Sequence, residues 1–499
     1  MKTPCTLVVL TALTSTVQVA SAGEIVAVKV GLAITVSGDD IENATILIEA
    51  GRIKAIGKDV EVPAEARVID RPESVAMPGI VDPHATTGLR DPNEVQANVP
   101  YVSVLDGVDP SAVGLEHAVR HGVTAVHCIA GNATRFGGQG AVIRTRGSFV
   151  DQMVVKSPSA MKISLSTTSS ESRMGNMAAM RKSFYELFSR IRKLGEPKTE
   201  KASLITQDAV DGKKDAGDAK KDAGDAKKDA GDGKKDAADA KEEPTDAKED
   251  AGDAKEAVVR PALDALVNLR PTWADIDWSK IPEDKIAERD RPLVDLVRGK
   301  LRAHLYCPTA TDVYKAFELI DTNGLDATLV LGNDAYKLAK VLAGREGLGP
   351  VIISSIFEIW EEDRETGAEK RHITPKALHD GGVEFVIQVR PATRSTRGAS
   401  FSRRGDGYHW YQAARLVRYG IPRKKALETI TLLPAKILGL DHRLGSLEVG
   451  KDADIAIFSG DPLDARSWVQ EVLIEGRTVY DREKDADLEL LLRSPERPF

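Results

Sequence analysis

Cysteine is scarce in this chain, with three in 499 residues, which excludes a disulfide framework as the source of stability. Aromatic residues are equally thin at 5%, against 42% hydrophobic residues overall. That balance excludes an aromatic-rich binding module and calls for a core of Val, Ile, Leu and Ala. Basic charge shows no excess: 69 Lys and Arg stand against 76 Asp and Glu, for a net charge of −7. A general nucleic-acid binder needs a basic surface to displace counterions, so that class is excluded. Apart from the first residues, no apolar run approaches the ~18 residues of a membrane span, and none is expected in the mature chain. Several catalytic signatures are missing too. The glycines of Gly131–Gly140 are not followed by Gly-Lys-(Ser or Thr), so they form no phosphate loop. There is no Gly-X-Ser-X-Gly elbow, and no cysteine lies in a nucleophile motif.

What is present begins with Lys2, the apolar stretch Leu7–Leu13 and Ala20-Ser21-Ala22. This is the order of a secretory signal peptide over residues 1–22, with cleavage after Ala22, so the protein is expected to be exported, periplasmic or secreted. An uncleaved tether is the alternative. Export leaves Cys128 and Cys307, which could pair or remain buried thiols.

Residues 24–76 alternate apolar and polar positions in short runs, and Ile46–Gly57 reads as a hairpin. Gly445–Phe458 and Val472–Tyr480, within 440–482, read as strands again, with a tail at 483–499. From 77 to 439, strand-like runs such as Thr124–His127, Thr328–Leu331, Val351–Ile353 and Phe385–Ile387 alternate with helical patterns. That alternation requires a parallel sheet with crossover helices. Met177, Met180, Phe184, Leu187, Ile191 and Leu194 step by three and four, one apolar helix face best read as core. At about 200–257 a seven-residue repeat runs from Asp211-Gly212-Lys213-Lys214-Asp215-Ala216-Gly217 to Asp246–Gly252. Alanine is its main apolar residue and glycine closes most repeats, so it cannot form a coiled-coil seam. It reads as a solvated, disordered insertion, with an electrostatic tether as the alternative.

Met77-Pro78-Gly79-Ile80-Val81-Asp82-Pro83-His84-Ala85-Thr86 reads as a buried strand ending at a ligand position. His84 and Thr86 point the same way, as alternate strand residues do. With this block, Gly137-Gly138-Gln139-Gly140-Ala141-Val142-Ile143-Arg144 and the segment from Leu433-Pro434-Ala435-Lys436-Ile437-Leu438-Gly439-Leu440 through Asp464, the chain resembles the amidohydrolase superfamily, in its imidazolonepropionase-like branch. The resemblance covers all but the signal and the repeat. It implies an α/β fold: a (β/α)8 TIM-like barrel over 77–439 plus a small composite β-sandwich built from both termini.

The same resemblance implies a catalytic divalent metal, zinc, held by His-X-His on the first strand, a histidine on the fifth and one on the sixth. An aspartate on the eighth acts as base on metal-bound water. His84 keeps the first position and Thr86 loses the second. Arg302-Ala303-His304-Leu305-Tyr306 aligns with the fifth-strand block, making His304 a retained ligand, whereas Leu331 stands for the sixth-strand histidine. Phe385-Val386-Ile387-Gln388-Val389-Arg390-Pro391 has no aspartate, and Arg390 falls at or next to the base. Two ligands of five remain, and zinc sites usually have three protein donors. His127 ends a strand and reads as a packed side chain, the pair His117 and His121 as a surface face. His372, His379, His409 and His442 have no ligand-like spacing.

Three readings follow. One is a decayed hydrolytic site with a binding role, including partnership with a paralogous amidohydrolase subunit or a second copy. Another is a working metal-dependent hydrolase of cyclic amides, lactams or small peptide-like bonds. The third uses Arg390, Arg394 and Arg397 to bind an anionic small molecule.

Overall fold

The computed structural model describes residues 24–166, 172–196, 272–363, 365–389 and 408–493. The signal-like segment 1–22, the repeat at 200–257 and Arg390, Arg394 and Arg397 lie outside the described residues.

The alternating N-terminal runs form β1 (Ile25–Ala33), β2 (Ile41–Glu49), β3 (Arg52–Gly57) and β4 (Arg67–Pro78). β2 and β3 are the expected hairpin, turned through Ala50 and Gly51, both at positive φ. The interior elements follow: β5 (Ile80–Ala85), β6 (Val123–Cys128), β7 (Phe136–Gln139), β8 (Ala141–Arg144), β9 (Val154–Lys156) and β10 (Ala160–Ser164). After the long helix Arg173–Gly195 come β11 (Arg302–Cys307), β12 (Ala327–Leu331), β13 (Val351–Ser354), the hairpin β14 (Glu358–Glu362) and β15 (Glu369–Ile373), and β16 (Phe385–Gln388). β17 (Ile455–Phe458), β18 (Val469–Ile474) and β19 (Arg477–Asp481) end the sheet structure.

Both termini share one sheet, ordered β19-β18-β17-β4-β1-β2-β3. The strands of both termini, expected as a small composite β-sandwich, hydrogen-bond in this one sheet, whose two ends approach: Arg52 bridges to Asp452, and the Ile53 N–H donates to the Lys451 carbonyl at 2.9 Å. This turns edge β3 toward the segment before β17 and encloses Val28, Ile46, Ile48, Ile455 and Leu473.

The interior strands give a mixed α/β fold, and among the described residues they do not close into one barrel. β10, β11, β12, β13 and β16 pair in parallel, with antiparallel β7 beyond β10. β5 and β6 pair in parallel in a second sheet that continues antiparallel through β8 and β9. Two physical reasons account for the gaps. β8 occupies the edge of β6 and β7 the edge of β10, so these two parallel strands do not meet. On the far side β5 lies beside β16, but the Val81 N–H is taken by the Ile430 carbonyl at 3.0 Å.

Parallel partners share a face, so the register sorts the side chains. Lys162, His304 and Thr328 form one row, and Ser164, Tyr306, Val330, Ile352 and Val386 the next, with Ser354 opposite Gln388. The opposite face carries Leu305, Cys307, Leu329, Leu331, Ile353 and Ile387, which join the main core with Ala316 and Leu319 of the helix Ala310–Asn323. The methionine stripe lies in that core as well, through Met177, Met180, Phe184, Leu187 and Ile191.

Candidate functional site

Sequence places His84 near the end of β5, His127 near the end of β6, Lys162 inside β10, His304 inside β11 and Gln388 at the end of β16. The fold brings all five together. Each is buried, and Lys162, His127 and His304 are completely so. The His84 and His304 rings lie parallel with centroids 6.1 Å apart, and His127 meets His304 edge-on at 4.6 Å.

Lys162 Nζ lies 2.7 Å from His84 Nε2, a hydrogen bond in which the ammonium donates, and 5.3 Å from the Tyr306 ring centroid. The buried Gln388 side chain also acts on His84, favouring its charged form against the effect of burial. His127 has both nitrogens engaged: Nδ1 lies 2.9 Å from the Pro83 carbonyl oxygen and Nε2 2.8 Å from Ser159 Oγ. A carbonyl oxygen only accepts, so Nδ1 carries the proton and the Ser159 hydroxyl donates to Nε2. His304 is the contrast, fully buried with neither ring nitrogen hydrogen-bonded.

Burial holds all three imidazoles neutral. It lowers His127 to about 4 and drives His84 and His304 well below the usual histidine range. After burial, Lys162 and then His127 push His84 down, while His127, His84 and Lys162 act on His304.

The glycine block Gly137–Gly140 makes room for this cluster. A Cβ on Gly137 would sit 3.2 Å from Lys162 Cγ, and one on Gly140 only 2.8 Å from His127 Nε2. These glycines thus let the backbone approach two definite partners, Lys162 and His127.

Above the cluster, at the carboxyl ends of β11, β12 and β13, a cavity of about 390 Å³ is lined by Tyr306, Gly332, Asn333, Asp334, Ser354 and Ser355. Parallel α/β folds place their ligands at this end of the strands. Tyr306 belongs to both places: it lines the cavity, and its ring covers Lys162.

Of the residues singled out in the sequence, His84, His304 and His127 stand in this cluster, His127 as a packed side chain. Thr86 lies just beyond β5, half-buried, and Leu331 faces the helix layer rather than the site, where register puts Val330 and Gly332 closer. Arg390 lies outside the described residues, and Gln388 is the eighth-strand side chain that reaches His84. His409 is buried with Nε2 3.4 Å from Asp82 Oδ2. His121 packs on Tyr408 with ring centroids 3.9 Å apart. Cys128 and Cys307 are free, buried thiols, and burial pushes Cys128 up to about 12. Lys162 and Ser159 escaped the sequence reading, because lysine in a strand ordinarily reads as a solvated position.

Two contacts stand against a zinc ion at this cluster, and the two ring nitrogens of buried His304, without hydrogen-bond partners, stand for one. His127 offers no open nitrogen, and the Lys162 ammonium stands at His84 Nε2 and opposes a cation there. Among the described residues no three His, Cys, Asp or Glu side chains are placed to hold a metal.

Residues 392–480 match the amidohydrolase family. An amidohydrolase, tasK, from Hapsidospora irregularis is 39% identical over 70 residues, 14% of this chain and 7% of that protein. A dihydroorotase from Geotalea daltonii (strain DSM 22248 / JCM 15807 / FRC-32) is 33% identical over 102 residues, 20% of this chain and 21% of that protein. The chain therefore matches only a minor part of the length of these curated relatives. The crystal structure of an amidohydrolase from Thermotoga maritima MSB8 has a TM-score of 0.65 at 23% identity, covering 92% of this chain and 100% of that one, which shows the shared fold. By sequence, therefore, a C-terminal part of the chain is similar to amidohydrolases, and by structure its fold is similar to one of them. No helix of the described residues is long and apolar enough to cross a membrane.

Proposed function

We propose that this chain is an exported protein of the amidohydrolase superfamily, of the imidazolonepropionase-like branch, whose hydrolytic metal centre has become a metal-free polar pocket. Its role is then to bind a small molecule, or to serve as partner to a catalytic paralogue or a second copy. The observation that carries this reading is the 2.7 Å contact between Lys162 Nζ and His84 Nε2, which fills a ligand position with a cation. The substitution at Thr86 and the engaged nitrogens of His127 point the same way. The signal-like segment at residues 1–22 supports export.

The test is elemental analysis of the purified protein expressed with zinc, manganese and iron available, beside a His84→Ala control. The expected result is no stoichiometric metal in either sample. Near-stoichiometric metal that vanishes in the control would overturn this reading in favour of a metal-dependent hydrolase of non-peptide C–N bonds.

A further inference from the structure

The cavity of about 390 Å³ at the carboxyl ends of β11, β12 and β13 has braced walls. The Ala310 N–H, at the start of the helix Ala310–Asn323, donates to Asp334 Oδ2 at 3.0 Å, and the Ser354 hydroxyl donates to Asn333 Oδ1 at 3.0 Å. Behind them the Thr374 hydroxyl donates to the Asn333 carbonyl oxygen at 3.3 Å, and the Ile356 N–H to Ser354 Oγ at 3.3 Å. Gly332 holds the turn after β12 so close to the turn after β11 that a Cβ there would lie 2.0 Å from the Pro308 carbonyl oxygen. A pocket fixed before its ligand arrives avoids part of the ordering cost of binding.

The same bonds set what the two polar side chains offer. With its oxygen taken by Ser354, the Asn333 amide has Nδ2 left to donate, and Asp334 has Oδ1 left to accept; neither atom has a partner among the described residues. Among the described residues that line the cavity, Asp334 is the one charged side chain. It accepts from the first turn of a 14-residue helix, whose dipole places about half a positive charge there. An anion would meet Asp334 with no cationic side chain in the described lining, and an ammonium would meet a carboxylate already offset by the helix. A hydroxyl both donates and accepts, so two neighbouring hydroxyls satisfy a fixed donor beside a fixed acceptor. Tyr306 and Ile356 add apolar surface for the carbon skeleton of such a molecule.

We propose that this cavity binds an uncharged small molecule with neighbouring hydroxyl groups, a polyol or monosaccharide, held by Asn333 Nδ2 and Asp334 Oδ1. The proposal names the ligand class for the binding role inferred above and rests on that reading.

The experiment titrates the full chain with glucose, glucuronate and glucosamine at neutral pH and follows binding by saturation-transfer NMR; the three share one ring that carries no charge, a carboxylate or an ammonium. Metal content is measured on the same preparation. Glucose is expected to bind tightest, and Asn333→Ala to weaken it about tenfold through the loss of one hydrogen bond at a fixed donor. Asn333 is exposed, and the ranking of the three ligands on the unsubstituted protein keeps the test decisive if the variant fails to fold. Metal-free protein that binds glucuronate or glucosamine as tightly as glucose, or binds none of the three, would overturn the ligand class and leave the metal-free pocket standing. Glucose binding unchanged in Asn333→Ala would overturn the placement at this cavity. Stoichiometric metal in the preparation would overturn the metal-free reading and the proposal with it, whatever the ranking.

Discussion

Arg144 ends β8 with a guanidinium that is nearly as inaccessible as the carboxylates it meets. Its Nη2 lies 2.7 Å from Asp452 Oδ2, and its Nη1 bonds Asp454. Arg443 reaches the same Asp452 oxygen at 2.7 Å. This network ties β8 to the segment that leads into β17 of the terminal sheet, and burial still pushes Asp454 up despite Arg144. Removing one partner of a buried ion pair strands the other, so Arg144→Ala should cost about 3–5 kcal/mol in urea denaturation. A loss within ~0.5 kcal/mol, the range of ordinary surface changes, would show that the network does not hold the two sheets together. At this scale the sequence was legible wherever a residue sat in a recognisable block. His84 and His304 could be read that way, and Arg144 lay in the glycine block without its partners, more than 300 positions away. Lys162 could not be read: nothing in Ala160–Ser164 announces that a lysine there points into a ring of imidazoles. Only the register of β10 against β11 does so.

Elements were legible to the extent that their cause is local. Thr328–Leu331, Val351–Ile353 and Phe385–Ile387 appear almost unchanged as β12, β13 and β16, because apolar β-branched runs bounded by turns need no distant information. Gly445–Asp454 reads as strand by alternation yet is a turn-rich approach to β17, held by the Arg52 and Arg443 contacts to Asp452. The failure of the strands to close had no local signal either, since it depends on which edges β7 and β8 occupy. Those two short strands are made possible by Gly137–Gly140. A methyl on Gly140 would come within 2.8 Å of His127 Nε2 and 3.0 Å of the Cys128 carbonyl oxygen, and a backbone oxygen cannot swing away. Gly140→Ala is therefore expected to cost about 1–3 kcal/mol in chemical denaturation. Gly349→Ala, where nothing lies within 4 Å of the new carbon, is the matched control and should be close to neutral. Equal losses in the two variants would show that crowding at Gly140 is not what matters.

For the molecule as a whole, the buried imidazoles set how stability responds to acid. His127 is lowered from 6.5 to about 4, and burial drives His84 and His304 well below the usual histidine range as well. His121 is also brought down to about 4, mainly by burial. Between pH 6.5 and about 4 the unfolded chain binds protons at these positions and the folded chain does not. Stability must then rise with pH across that window, being fully present above 6.5 and lost as the pH falls toward 4. Carboxylates act later. The Arg466 side chain holds Asp464 at about 2, below the histidine window, while burial raises Asp454 and gives it the opposite sign. The early part of acid destabilisation therefore belongs to histidine. For His127 that shift is on the order of a few kcal/mol across the window, large beside the ~5–15 kcal/mol of a typical domain. Urea denaturation at a series of pH values should show the folding free energy falling from pH 6.5 downward, before any carboxylate of ordinary affinity titrates. In His127→Gln that slope should become shallower, whatever the absolute stability of the variant. A slope unchanged by the substitution would mean that His127 titrates alike in the folded and unfolded chain, and with it that burial does not hold its ring neutral.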